Sequence, residues 1–97
     1  MKIREAYELK QIGDHYLVTR KTGERSAILF ALNETGAFLW KELALGKTES
    51  QMTESLCGEY EAGPEEEEMI RCDVADFLEQ LRGVGALEET DDDSLGK

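Results

Sequence analysis

The sequence predicts an α+β domain, a three-stranded antiparallel meander followed by three helices packed on one face of the sheet, in the outline of a winged helix-turn-helix. Three observations predict it. The first third of the chain alternates around two turn signals, Gly13-Asp14-His15 and Lys21-Thr22-Gly23-Glu24. Asn33 then stands where a short apolar run ends and a helical spacing of apolar residues begins. Beyond it, Gly46 and Gly63-Pro64 divide the remainder into three stretches of helical periodicity.

Each element follows from its own residues. In the first strand Tyr7, Leu9 and Gln11 interleave with Glu8, Lys10 and Ile12, and Tyr16-Leu17-Val18-Thr19 makes a β-rich second strand. The third strand, Ala27-Ile28-Leu29-Phe30-Ala31-Leu32, is apolar on both parities, which is odd for a sheet with one wet face. It makes sense if something covers its second face or its edge. The plainer alternative puts Ile28, Phe30 and Leu32 in the core and leaves Leu29 as an exposed apolar residue. Asn33 is a good N-cap, because its side-chain oxygen can accept a hydrogen bond from an unpartnered amide of the first turn. Leu32 and Ala37 sit where a hydrophobic staple would form.

The first helix, from Glu34 to about Leu45, presents Ala37, Trp40 and Leu43 or Ala44. Thr48-Glu49-Ser50-Gln51 has the form of a capping box and opens a second helix carrying Met52, Leu56 and Tyr60. Pro64 suits the first position of a third helix, where its missing amide costs nothing. The acids of residues 65–68 fall in the first turn, where the helix dipole favours negative charge. Ile70, Val74, Phe77, Leu78 and Leu81 form the apolar face, Gly83 stops the helix, and Ala86-Leu87 is free to pack back. The domain therefore spans residues 1–88, and residues 89–97 are expected to be a disordered acidic tail.

Composition narrows the function. The 97 residues carry 22 acidic against 11 basic side chains, a formal net charge of −11. That field repels a phosphate backbone, whose affinity for proteins comes largely from Lys and Arg displacing counterions. Anionic membrane surfaces are disfavoured for the same reason. The first residues, Met1-Lys2-Ile3-Arg4-Glu5, have no apolar segment behind them, so no signal peptide is expected and the expected location is the cytoplasm. Cys57 and Cys72 are too few and too far apart for a zinc site and read as two reduced thiols in or near the core. His15, the single histidine, reads as a solvated turn residue. The chain carries no phosphate loop, nucleotide-binding glycine fingerprint, nucleophile elbow or zinc signature, so the expectation is a non-enzyme with no cofactor and no metal.

The stretch Leu32-Asn33-Glu34-Thr35-Gly36-Ala37-Phe38-Leu39-Trp40 resembles the signature that opens the first helix of PqqD-like proteins. Glu59-Tyr60, Asp73-Val74-x-x-Phe77-Leu78-x-x-Leu81 and the closing Gly83-Val84-Gly85-Ala86-Leu87-Glu88 are similar to the same family, so the resemblance runs from about Tyr7 to Glu88. It implies a peptide-recognition element that is not itself an enzyme. Such a domain holds the leader segment of a ribosomally made precursor peptide and presents the peptide to a modifying enzyme, often a radical S-adenosylmethionine maturase.

The family's binding mode implies that the leader adds as a strand to the third strand, here Ala27, Ile28, Leu29, Phe30 and Ala31, and lies in a groove against the third helix. The residues meet this implication at one point. An apolar edge is normally blunted by Lys, Pro or a bulge, and no such device is legible within this strand. On the third helix, Arg71, Ala75, Leu78 and Arg82 form one stripe beside the core face, in which two Arg bracket a small apolar patch. That stripe is the candidate leader contact, with salt bridges to Glu67, Glu68 or Glu79 as the ordinary alternative. Two other functions fit the outline. One is a winged-helix nucleic-acid binder or regulator, although the second helix offers only Gln51 for base readout. The other is an interaction subunit that has lost leader binding. A monomer or a weak homodimer paired through the open edge is expected.

Overall fold

The computed structural model describes residues 2–88. Met1 and the acidic tail, residues 89–97, lie outside the described residues. The elements run β1 (Lys2–Ile3), β2 (Tyr7–Ile12), β3 (His15–Thr22), β4 (Arg25–Leu32), α1 (Glu34–Ala44), α2 (Glu49–Glu59), α3 (Pro64–Gly83) and β5 (Leu87–Glu88). The meander is β2-β3-β4, fully antiparallel, so the third strand read from sequence is β4. Gly13 and Gly23 turn its two hairpins at φ +61° and +63°, in the left-handed region that side chains resist.

The helix ends are built as their sequences predict. Asn33 accepts the Gly36 amide at 2.8 Å and starts α1. Thr48 and Gln51 cap α2 reciprocally, at 3.2 Å and 2.9 Å. At α3, where Gly63 has no side chain to contribute, the Glu66 carboxylate accepts the Gly63 amide at 2.7 Å. The core then forms where three helices and the sheet meet. Leu39, Trp40 and Leu43 of α1, Met52 and Leu56 of α2, and Ile70, Val74, Phe77, Leu78 and Leu81 of the apolar face of α3 pack with Tyr7 and Val18. Ala86 and Leu87 do pack back: Leu87 pairs with Ile3 and Glu88 with Lys2 in a two-stranded clasp, β1-β5. The Tyr7 hydroxyl donates to the Val84 carbonyl at 2.8 Å, fastening the meander to the end of α3.

Several expectations are corrected. Tyr60 is the C-cap of α2, one residue past the helix, and is 54% exposed, with its hydroxyl 3.0 Å from Thr35 Oγ1. Of the two alternatives left open in α1, Leu43 is the buried one and Ala44 is exposed. Cys57 is half-buried, but Cys72 faces solvent, because it lies on the far side of α3 from the apolar stripe. The puzzle of β4 resolves into a bulge. Val18 pairs with Phe30 and Thr19 pairs with Ile28, so Leu29 is an extra residue on β4. A bulge breaks strict alternation. Leu29 and Phe30, neighbours in sequence, both become half-buried against the core, and Ile28 is 65% exposed. The plainer reading, with Ile28 inside and Leu29 outside, is therefore reversed at both positions.

Candidate functional site

β4 is an edge strand of the meander, and at its C-terminal end it runs directly into α1 through Asn33. A groove of about 230 Å³ opens at that junction. Leu32 and the first turns of α1, including Thr35, Gly36 and Leu39, form one side, and Asp73, Asp76, Phe77 and Gln80 of α3 form the other. The half-buried side chain of Leu32 and the buried ring of Phe77 supply apolar surface.

Gly36 makes this junction possible. A Cβ placed on it would lie 3.0 Å from Leu32 Cδ2 and 3.1 Å from Leu32 Cβ. The glycine is used for close approach rather than for backbone freedom, and its amide is the one that Asn33 caps. Strand end, cap and helix start are thus packed into one unit that positions the groove.

The electrostatics of the groove are one-sided. Among the described residues no Lys or Arg lines it, and neither Asp73 nor Asp76 has an ion-pair partner. Other acids are engaged. Glu67 receives Arg71 at 3.1 Å, and Glu42 receives Lys47 at 2.9 Å. Hydrogen bonding from Lys47 and from Ser55 holds the Glu42 carboxyl below its ordinary pKa, against a smaller opposing effect of burial.

The residues singled out from sequence are divided by the structure. Ala27, Ile28 and Ala31 are exposed on β4, and Leu29 and Phe30 are half-buried. The bulge at Leu29 is itself one of the devices that blunt an edge, so β4 is not the undefended strand its residue types suggest. On α3 the expected stripe is on the other flank from the groove. Arg71 lines a separate cleft with Glu49, Ser50, Thr53 and Glu54 of α2. Leu78 is fully buried at 0% exposure and presents no surface, while Ala75 and Arg82 are exposed. The flank facing β4 carries Asp73, Asp76 and Gln80 instead. Their signal was present in the sequence as polar residues bordering the same apolar face.

The sequence matches the family described as coenzyme PQQ synthesis protein D (PqqD) over residues 23–87. The chain belongs to the PqqD family. The match begins at the β3–β4 turn and ends in β5, so it contains every residue that lines the groove. Among solved structures, this PqqD-family chain is similar to TbiB1 in complex with the TbiA(beta) leader peptide. The two are 26% identical with a TM-score of 0.72, and the alignment covers 93% of this chain and 98% of that one. No curated protein matches the sequence at a significant level. The α+β fold of three antiparallel strands and three helices is thus shared with a peptide-binding relative. Among the described residues no helix is long and apolar enough to cross a membrane.

Proposed function

We propose that this PqqD-family chain is a peptide-recognition element for the leader segment of a ribosomally made precursor peptide. The leader adds as a strand along β4, through Ala27, Ile28, Leu29, Phe30 and Ala31, and continues into the groove between Leu32 and α3. The domain holds the peptide without reacting with it and presents it to a modifying enzyme. A radical S-adenosylmethionine maturase is the partner that the family implies.

The observation that carries the reading is the likeness, over nearly the whole chain, to a protein solved with a leader peptide bound. The geometry agrees with it. Strand addition satisfies the open amides and carbonyls of an edge, and side-chain pockets then supply specificity. β4 offers such an edge, and the groove lies at the end of it.

Fluorescence anisotropy with labelled leader segments from short reading frames beside the gene tests this, with duplex DNA as control. Binding of one leader at low-micromolar or tighter Kd, on the order of −8 kcal/mol, is the expected result. Leaders N-methylated at alternate backbone amides should bind at least tenfold more weakly, because the ladder loses its donors while the protein is untouched. Equal binding of the methylated peptides removes strand addition, and absence of any leader binding removes the function.

A further inference from the structure

The groove beside β4 has a chemical preference that its location alone does not give. Its outer wall on α3 is acidic, through Asp73 and Asp76, and its floor is apolar, through Leu32 and Phe77. The two carboxylates stand one helical turn apart, and no cation of the described residues neutralises either. Side chains at this spacing on a helix have Cβ atoms roughly 5–6 Å apart. Alternate residues of an extended strand share a face at about 6.6 Å. An extended peptide can therefore set basic side chains at positions n and n+2 against both acids.

We infer that the recognised peptide is cationic where it crosses α3: an apolar side chain seats on Leu32 and Phe77, and Lys or Arg at positions n and n+2 beside it pair with Asp73 and Asp76. The inference rests on the peptide-binding reading above and names the class of peptide that site selects. The opposite flank of α3, with Arg71, faces α2 and takes no part. Charge at the groove acts in two ways. It steers a basic segment toward the edge strand, and it rejects an acidic segment by juxtaposing like charges.

The probe is a displayed library of random twelve-residue peptides selected on the full chain, with sequencing of the winners and anisotropy on synthesised copies. Winners with an apolar residue next to Lys or Arg are expected. Their affinity for Asp73→Asn/Asp76→Asn should fall about two- to thirtyfold, the range for two exposed charge pairs. The charge-matched control Glu65→Gln/Glu68→Gln, outside the groove on the same helix, should change it less than twofold. The reversal Asp73→Lys/Asp76→Lys should select Asp or Glu in place of Lys or Arg. Winners without basic residues, or equal losses in both charge-matched variants, overturn the inference while leaving peptide binding intact. A library that yields no winners at all, on protein that is folded by circular dichroism, overturns the peptide-binding reading beneath it.

Discussion

Replacing Gly36 by Ala tests whether strand, cap and helix form one packed unit. In most helix positions this change is stabilising, by up to about 1 kcal/mol, because Ala loses less backbone entropy than Gly. Here the new methyl would meet Leu32 Cδ2 at 3.0 Å, Leu32 Cβ at 3.1 Å and the Asn33 cap oxygen at 3.4 Å. The Cδ2 contact is relieved by a rotamer change. The Cβ contact is not, because Leu32 Cβ moves only with the end of β4. Overpacking of this kind costs about 1–3 kcal/mol. The cap bond of 2.8 Å is drawn into the same shift, and a lost N-cap costs about 1 kcal/mol. The net expectation is destabilisation by about 1–2 kcal/mol, which lowers Tm by about 4–8 °C per kcal/mol in a domain of this size. Urea denaturation with a shared m-value measures it. Peptide affinity should fall as well, since Leu32 supplies groove surface. A variant as stable as the parent, or more so, would refute the packing argument outright.

Four further outcomes are expected. Tyr7→Phe removes the 2.8 Å bond to the Val84 carbonyl and should cost about 1 kcal/mol by urea denaturation; an unchanged midpoint would show that the attachment of the meander to the end of α3 does not depend on it. Leu78→Met, a volume-conserving change in the core, should cost less than about 1.5 kcal/mol and leave peptide affinity unaltered, whereas a loss of affinity at constant stability would return Leu78 to the binding surface. Arg71→Ala breaks an exposed ion pair with Glu67, so stability should shift by no more than about 0.5 kcal/mol and peptide binding should persist. Glu42 has a lowered pKa in the fold, so its contribution to stability is present at neutral pH and is lost as pH falls through that lowered value. Lys47→Met should raise the Glu42 pKa in a carboxyl NMR titration, and an unmoved titration would contradict the hydrogen-bond assignment.

Much of the architecture was legible because it is written in local chemistry. Asn33 had to cap, since it precedes a helical period and follows an apolar strand. Thr48 and Gln51 had the right types at the right spacing for a reciprocal cap, and the structure has that cap. The apolar face of α3 was complete in the sequence, and all five of its residues are buried. β4 was legible only in part. Its two-sided apolar character was visible, but the bulge that explains it depends on pairing with β3, and a single strand does not record its partner's register.

The candidate site divides along the same line. Local residue chemistry carries the α+β order, the caps, the buried stripe of each helix and the family membership that directs attention to β4 and α3. Which border of α3 faces the groove emerges with the packing of the elements. An apolar stripe on a helix has two polar borders, here Asp73, Asp76 and Gln80 on one side and Arg71, Ala75 and Arg82 on the other. Periodicity fixes the angle of the stripe but treats the two borders alike. The choice between them is made by the direction from which α1 and β4 meet α3, a long-range property of the packed chain. Here that packing turns the acidic border toward β4 and leaves Arg71 against α2.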